Sequence, residues 1–516
     1  MELSLVSWVS ILLFILSAVY AYTKTTRPRR LLPPSPPGWP VIGHLHLMTD
    51  MPHHALAELA KSMRAPLLHL RLGSVPVMVI SKPDLARAAL TTNDAALASR
   101  PHFLSADILS FGCSDVTFSP SGPYHRMARG VVVSELLTVR RVASYGRVRA
   151  QELRRLLAHL TKNTSPEETP VDLSSCLHNL ANDVLCRVAF GSRFPHGKDD
   201  KLLAVLVEAE ELYGEFKLGN YFPELEPVAS TITGLRRRMK KCHADLRAIC
   251  QKIVDGHISE PAVSRDEDFV DVLLRVQKSS DPHVSLTDDN LMAIVLDLFT
   301  GGTDTVGAAM EWVMTELVRH PRVLGKVQDE VRRVVGGKGL VEESDLGELR
   351  YLRAVIKEAF RLHPPAPLLV PRESVAPCSL GGYHIPAKTR VIINIFAMGR
   401  DPEIWENPLE YLPERFHGAG AGDKTSLKDH DDYRLLTFGG GRRGCPGYTF
   451  AQPVIELTLA SLLYHFEWAL PAGVRAEDVS LEESFGLATT KKDPLFVAVT
   501  NNSEYEFKGE ELEDDV

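Results

Sequence analysis

Hydrophobic and polar positions along the chain follow two different periods. Residues 66–80 alternate between apolar and polar positions on both sides of Gly73 and Ser74, which predicts a two-stranded hairpin. Residues 146–160, 172–190 and 201–255 instead carry apolar residues at the spacing of amphipathic helices, with charged or proline-containing interruptions. The pattern predicts a fold that is mainly α-helical with small β-sheets.

Two further helices and one long loop follow from the same reasoning. A helix is expected after Pro83, and another from Leu349 to Leu362, where Pro364 and Pro365 stop it. Residues 102–121 are rich in Ser, Gly and Phe and lack a helical period. We therefore predict a long loop there, and long ordered loops are often functional.

The longest apolar helix is predicted to begin after Thr287, as its N-cap, and to end before Pro321. Its middle contains Gly301 and Gly302, and two adjacent glycines cost about 2 kcal/mol relative to alanine in a helix interior. A cost of this size suggests that the two glycines have a structural or functional purpose. We expect either a local kink or space for a ligand against the backbone.

The N-terminus carries a run without charge from Leu3 to Tyr22, which spans about 30 Å as a helix and so matches the hydrocarbon core of a bilayer. A basic cluster at residues 24–30 follows, and such clusters favour the cytosolic side. The alternative is a cleaved signal peptide, whose basic residues would precede the apolar run. We predict an uncleaved membrane anchor.

Overall composition narrows the class of protein. The net charge of −8 argues against nucleic acid as the main partner. The seven cysteines are scattered and include no C-x-x-C pair, which indicates a reducing compartment rather than a disulfide framework.

The most informative segment is residues 438–447, where Cys445 lies among glycines, two arginines and a proline, just before an apolar helical stretch. Glycines let the backbone pass close to a flat, bulky group. Arginines bind carboxylates bidentately, and a cysteine beside arginine at a helix N-terminus should favour its thiolate. These features point to a thiolate ligand under a porphyrin whose propionates need cations. The alternative is a glycine turn around a buried structural cysteine.

The segment reads F-x-x-G-x-R-x-C-x-G and resembles the haem-binding loop of the cytochromes P450. The resemblance implies that Cys445 is the axial ligand of the haem iron. It also implies contacts of the haem with the following residues: Phe438, Gly441, Arg443, Gly447, Arg126 and Arg372. One departure affects this set, because His125 stands where the family usually has tryptophan in the W-R-x-x-R motif that includes Arg126 and Arg129.

The glycine-containing helix resembles the oxygen-binding motif of the same family, A/G-G-x-D/E-T, through Asp304 and Thr305. A hydroxyl group beside an acid linked to solvent can deliver the protons that dioxygen activation needs. The resemblance implies a catalytic role for these two residues. It also implies a substrate pocket lined by Asp297, Gly301, Leu368, Leu369, Val370 and Phe485, in which Asp297 is a hypothetical partner for a cationic substrate group.

Glu358 and Arg361 form an E-x-x-R pair in the helix 349–362, and Arg415 follows in a P-E-R-F sequence. This arrangement resembles the Glu-Arg-Arg triad of the family, which implies a buried structural cluster near the haem. An exposed pair at i and i+3 is the ordinary alternative for E-x-x-R alone.

Taken together, the resemblance implies a cytochrome P450 fold with an N-terminal transmembrane helix and a monooxygenase that uses haem b, dioxygen and NADPH through a cytochrome P450 reductase. The N-terminal segment of the chain resembles that of plant microsomal members. This resemblance implies a location on the endoplasmic reticulum membrane, with the catalytic domain in the cytosol. The expected parts are an anchor (1–23), a basic and proline-rich hinge (24–40), a catalytic domain (41–503) and an acidic tail (504–516).

Two alternatives stay open at this point. One is a monooxygenase of the same family acting on a phenylpropanoid, terpenoid or fatty acid. The other is a haem protein that does not oxygenate, against which the intact Asp304 and Thr305 pair argues.

Overall fold

The computed structural model describes residues 31–162, 170–191, 200–214, 217–259, 267–279, 285–418, 426–428 and 431–507. The predicted anchor (1–23), the first part of the hinge and most of the acidic tail lie outside the described residues. The described α-helices are α1 Pro52–Ser62, α2 Pro83–Leu90, α3 Asp94–Leu97, α4 Leu104–Leu109, α5 Pro123–Val131, α6 Val139–Ser144, α7 Gly146–Lys162, α8 Leu173–Phe190, α9 Asp200–Gly214, α10 Glu226–Ile232, α11 Leu235–Ser259, α12 Phe269–Gln277, α13 Asp288–Gly302, α14 Asp304–Arg319, α15 Pro321–Val335, α16 Arg350–Leu362, α17 Ile395–Gly399 and α18 Tyr448–His465.

Short strands form four small sheets beside these helices. The strands are β1 Leu67–Leu72, β2 Val75–Ile80, β3 Val171–Asp172, β4 Arg372–Glu373, β5 Cys378–Leu380, β6 Tyr383–Ile385, β7 Arg390–Ile393, β8 Phe466–Ala469, β9 Glu483–Phe485, β10 Thr489–Lys491 and β11 Phe496–Asn501. The largest sheet has the order β1-β2-β7-β4, with β2 and β7 parallel. The others have the orders β3-β11-β8, β9-β10 and β5-β6. The prediction of a mainly helical fold with small sheets is confirmed.

The main hydrophobic core lies between α8, α13, α14, α16 and α18. Helices α14 and α16 are buried along almost their whole length. Two smaller clusters cover the two faces of the four-stranded sheet. This arrangement places the loop before α18 opposite the junction of α13 and α14, and the cavity described below lies between them.

Several predicted elements are confirmed. The hairpin forms as β1 and β2, with Gly73 at its turn in the left-handed region (φ +63°). Helices begin at Pro83 and at Arg350 as expected. The prediction of an uninterrupted loop over 102–121 is wrong, because Leu104–Leu109 is helical. This helix has only six residues, which is too short for a visible period.

The apolar segment predicted as one helix forms two helices with a break at Thr303, whose backbone lies at the edge of the right-handed helical region (φ −86°, ψ −74°). Thr287 caps α13 in a capping box with Asn290. Among the described residues, Asp288–Arg319 is the one stretch long and apolar enough to cross a membrane. Most of it is buried inside the protein, as in the core helix of a globular domain.

All seven cysteines lie in the described part of the chain, and all are free thiols. The expectation of a chain without disulfides is therefore confirmed. This agrees with a reducing compartment.

Candidate active site

A cavity of about 310 Å³ lies between the residue 438–447 loop and the junction of α13 and α14. Its walls are mostly apolar and include Phe360, Leu369 and Val370. Cys445 lines one side, and Asp304 and Thr305 line it from the helix junction. The predicted thiolate ligand and the predicted proton donors thus lie on one cavity.

The cysteine loop is held by hydrogen bonds of its own backbone. The Cys445 N–H donates to the Phe438 carbonyl oxygen at 2.8 Å, and α18 begins three residues after the cysteine. Gly441 is required here, because its φ is +63° and a Cβ atom would lie 2.5 Å from Asp94 Oδ1. The loop therefore presents Cys445 to the cavity at a fixed position.

Burial raises the pKa of the Cys445 thiol. The N–H groups of Gly447 and Tyr448 and the cations Lys428 and Arg129 act in the opposite direction. The helix N-terminus and a neighbouring arginine thus favour the thiolate as expected, but desolvation has the larger effect in the opposite direction. A metal ion reverses this balance, because a coordinating thiol is deprotonated outright.

Four guanidinium groups line the cavity, those of Arg100, Arg129, Arg372 and Arg443. Arg443 donates to three backbone carbonyl oxygens at 2.5 to 3.0 Å. Arg372 donates to Asp94 Oδ1 at 2.8 Å and to the Gly440 carbonyl oxygen at 2.7 Å. Burial lowers the pKa of Arg372, of Arg443 and, most strongly, of Arg100. Such a concentration of buried cations indicates an anionic ligand.

The sequence prediction for Arg126 is wrong, because its side chain is exposed and does not line the cavity. Arg129 occupies that place instead and donates to the Gly444 carbonyl oxygen at 2.7 Å. The reason is helical geometry, since Arg129 lies one turn after the buried His125 and shares its face, whereas Arg126 is rotated by about 100°. The i, i+4 spacing from His125 was the available signal.

His125, at the position of the usual tryptophan, is buried, and its Nε2 atom has no hydrogen-bond partner among the described residues. Burial and then the charges of Arg443 and Arg129 lower its pKa to about 3. A neutral imidazole with a free ring nitrogen can donate one hydrogen bond, as the indole N–H does. The substitution therefore keeps a hydrogen-bond donor near the basic cluster.

The opposite wall of the cavity carries the break between α13 and α14. The Thr305 hydroxyl donates to the Gly301 carbonyl oxygen at 2.8 Å. A Cβ atom at Gly301 would meet nothing within 4 Å, whereas one at Gly302 would lie 2.9 Å from the Leu185 side chain. The second glycine therefore allows close packing against Leu185 of α8, and the first leaves room in the cavity.

Comparison with known proteins agrees with this geometry. The sequence pattern of the Cytochrome P450 family matches residues 33–496.

The chain is a cytochrome P450.

Its relatives include the tryptamine 5-hydroxylase of Oryza sativa subsp. japonica, which is 72% identical over 99% of both chains. Cytochrome P450 71AP13 of Prunus mume is 45% identical and covers 94% of this chain and 93% of its own length. Among solved structures, a zebra fish cytochrome P450 with progesterone has a TM-score of 0.73 at 25% identity, over 87% of this chain and 99% of its own.

The residues of the cavity fit the haem of this family. The guanidinium groups on the cavity would hold its propionates, the His125 nitrogen near them would offer a further donor, and Cys445 would supply the thiolate ligand. When bound through this thiolate, haem supplies the activation of dioxygen, because the sulfur donates electron density that favours O–O cleavage. Electrons come from NADPH through a reductase. The protein itself would orient the substrate and exclude water.

Two predicted pocket residues do not line this P450 cavity. Leu368 packs against the cluster on one face of the four-stranded sheet, and Phe485 stacks on the His53 ring at 5.6 Å. Leu487 and Ala488, just after β9, line the cavity instead. Asp297, Gly301, Leu369 and Val370 line it as predicted. Phe485 ends β9, whereas Leu487 and Ala488 lie in the bend between β9 and β10 that reaches the cavity.

A pair of acids, Asp115 and Asp297, also lines the cavity. Asp115 Oδ1 accepts from two backbone N–H groups of residues 116–119, at 2.7 and 3.1 Å, and Asp297 Oδ2 accepts from two others, at 3.0 and 3.1 Å. Burial and then the charge of Asp297 raise the pKa of Asp115 to about 8, and burial raises that of Asp297. Sequence reasoning missed Asp115 and Arg100, whose isolated positions carry no motif.

The structure brings the three triad residues together. Arg361 donates to both carboxylate oxygens of Glu358 at 2.7 Å, and Arg415 Nε donates to Glu358 Oε1 at 3.1 Å. The Leu412 N–H adds a further bond at 2.9 Å. Glu358 and Arg361 are completely buried, so the carboxylate is compensated only by these partners.

Glu358→Ala is expected to lower the free energy of unfolding by about 3–5 kcal/mol, because it leaves two buried guanidinium groups without their anion. Urea unfolding of the purified protein, followed by tryptophan fluorescence, measures this change. The matched control is the exposed Glu348→Ala, which should change stability by about 0.5 kcal/mol or less. A loss below about 1 kcal/mol in Glu358→Ala would mean that the cluster is not a structural anchor.

Proposed function

We propose that this cytochrome P450 hydroxylates tryptamine at carbon 5 of the indole ring and forms serotonin, with electrons delivered by NADPH-cytochrome P450 reductase. The observation that carries the proposal is the 72% identity, over 99% of both chains, to an enzyme named tryptamine 5-hydroxylase. Relatives with other names are much less similar, such as a strychnine-11-hydroxylase at 39%. An identity of 72% favours the substrate of this relative over another plant metabolite.

The cavity offers a second line of support. Tryptamine carries an apolar ring and an ammonium group at neutral pH, and a buried site for a cation needs a paired anion. Asp115 and Asp297 supply carboxylates in a cavity whose other walls are largely apolar. We propose that this acid pair binds the substrate amine, while the ring lies towards the Cys445 side.

Above about pH 8, where the Asp115 carboxyl group is ionised, Asp115→Asn is expected to weaken tryptamine binding about 10- to 100-fold, since a hydrogen bond to a charged group contributes about 1.5–3 kcal/mol. Binding of the neutral analogue 3-methylindole should not change. Substrate-induced difference spectra of the haem measure both dissociation constants. Because the pKa of Asp115 is raised to about 8, tryptamine affinity of the unmodified protein should rise as the pH approaches that value, and the variant should lose this rise.

The control is Asp107→Asn, which removes an exposed carboxylate of α4 outside the cavity. Asp297→Asn should also weaken the binding of tryptamine, as Asp115→Asn does. An unchanged tryptamine dissociation constant or Michaelis constant in both cavity variants would exclude the acid pair from amine recognition.

The activity itself is tested with the full chain in microsomes that contain the reductase. Tryptamine and NADPH should yield 5-hydroxytryptamine, identified by chromatography and mass spectrometry against the authentic compound. Phenylpropanoid, terpenoid and fatty-acid substrates are supplied in parallel. Oxidation of one of these without turnover of tryptamine would replace the proposed substrate, and haem binding without any oxygenated product would favour the non-oxygenating alternative.

We also propose that residues 1–23 anchor the protein in the endoplasmic reticulum membrane, with the catalytic domain in the cytosol beside the reductase. The charge-free run and the basic residues that follow it support this orientation. Protease added to intact microsomes should digest the domain and leave a short protected N-terminal fragment.

A further inference from the structure

Three residues on one face of the buried helix α14 are unusual there, because two are acids and the third is a glycine. Asp304, Gly307 and Glu311 are spaced i, i+3 and i+7, so they lie along one line on the helix surface. Helix α8 packs against this face and places His178 over it. Asp304 lies on the active-site cavity, whereas Glu311 is almost completely buried away from it.

The His178 ring lies between the two acids. Its Nδ1 atom is 3.9 Å from Asp304 Oδ1, and its Nε2 atom is 3.4 Å from Glu311 Oε2. Glu311 is held in turn by the Ser174 hydroxyl, which accepts the Leu495 N–H at 2.7 Å. The buried carboxylate therefore fixes the orientation of the imidazole, and the other ring nitrogen points towards Asp304.

Gly307 makes this arrangement possible. A Cβ atom at this position would lie 2.6 Å from His178 Nδ1 and 2.8 Å from its Cγ atom. Glycine in a helix interior costs about 1 kcal/mol relative to alanine. The close approach of the His178 ring explains why a glycine stands here despite its cost in helix stability.

The side chains of His178, Asp304 and Glu311 differ in their exposure to water. The His178 side chain is 27% exposed and that of Asp304 is 40% exposed, against 3% for Glu311. An imidazole can take a proton from water and release it again near neutral pH. We propose that His178 supplies protons to Asp304, so that the path from solvent to the active site runs through this ring. The inference rests on the proposed monooxygenase function and on the proton-delivery role that the family resemblance implies for Asp304 and Thr305.

The transfer is a simple proton exchange. The Nδ1–H bond of the imidazolium breaks and an O–H bond forms on Asp304 Oδ1, which leaves a neutral imidazole and a neutral carboxyl group. Water at the exposed part of the ring then returns a proton to the imidazole. Since 3.9 Å exceeds a hydrogen bond, the step needs a rotation of the Asp304 side chain or one bridging water.

Two other charged groups face the same region. Glu210 of α9 hydrogen-bonds to Asp304, and burial and then this contact raise its pKa to about 9, so it holds its proton at neutral pH. Lys491 of β10 interacts with Glu311. Glu210 is thus a competing proton donor for Asp304, and the experiment separates the two routes.

The test measures coupling, which is hydroxylated product formed per NADPH consumed, with hydrogen peroxide and the solvent kinetic isotope effect recorded alongside. His178→Gln should lower coupling on the order of tenfold, below the 10²–10⁴ typical of a direct proton donor, and raise the isotope effect. Gly307→Ala should shift both readouts in the same direction, because it displaces the ring without removing any titratable group. Glu210→Gln should lower coupling less than His178→Gln does, because the His178 route stays open in that variant.

Substrate dissociation constants and melting temperatures of His178→Gln and Glu210→Gln provide the structural control and should equal those of the unmodified protein. Unchanged coupling in His178→Gln, or a loss matched by equal loss of substrate binding and of thermal stability, would overturn the inference. A loss confined to Glu210→Gln would assign the path to Glu210 instead and equally overturn it. Failure of the unmodified protein to hydroxylate tryptamine would refute the proposed substrate only, because coupling can be measured with any substrate that is accepted.

Discussion

Replacing Cys445 with serine is expected to abolish monooxygenase activity and to remove the spectral signature of thiolate-ligated haem. Cys445 is the one cysteine among the residues lining the cavity, and its loop fixes it there through the bond to the Phe438 carbonyl. A serine hydroxyl does not provide the electron-rich sulfur that favours O–O cleavage. The loss should therefore be complete rather than partial.

The spectrum of the reduced protein with carbon monoxide measures this effect directly. The unmodified protein should show the Soret band of thiolate ligation, and Cys445→Ser should lack it or contain no haem. The control is Cys378→Ser, in a strand away from the cavity, which should keep both haem and activity. A thiolate-type band that survives in Cys445→Ser would place the axial ligand elsewhere and invalidate the description of the site.

Thr305→Ala is expected to reduce product formed per electron by a factor on the order of 10²–10⁴, the range of general acid catalysis. The hydroxyl lies on the cavity and is held by the Gly301 carbonyl oxygen at 2.8 Å, in the turn next to the helix break. NADPH should still be consumed, because the variant keeps the cavity and Cys445. The electrons should then appear in hydrogen peroxide instead of product.

Thr300→Ala is a closely matched control. Thr300 also lines the cavity and also donates to the carbonyl oxygen four residues earlier, at 2.7 Å, but it precedes the break. Its replacement should leave coupling intact, and Thr305→Ser should restore most of it, because the hydroxyl is retained. If Thr305→Ala coupled as well as the unmodified protein, the assignment of the hydroxyl to proton delivery would be refuted.

Sequence reasoning was most successful where chemistry and spacing are local. The hairpin at Gly73, the N-cap at Thr287 and the glycine-rich approach to Cys445 each involve residues within a few positions of one another. Turn geometry, capping and helical period are properties of such short windows. Six residues at Leu104–Leu109 were too few for the same reasoning, and their helix was missed.

For the site, sequence reasoning placed some residues on the cavity and misplaced others. Asp304 and Thr305 were placed on the cavity by their motif. Arg126 was chosen over Arg129, although only the latter shares the face of the buried His125. Phe485 was chosen over Leu487 and Ala488 because the sequence does not show where β9 ends and the bend that reaches the cavity begins.

The amino-acid sequence alone indicates the family, a candidate cysteine ligand and the mainly helical class, because each depends on residue types at short fixed spacings. Its family resemblance also indicates the members of the Glu358 cluster. The folded chain shows in addition which cations surround the cavity, that Asp115 lies near Asp297, and that His178 lies against Gly307. These contacts join residues far apart in the chain. Their proximity results from the packing of whole helices, and no local period or propensity records it.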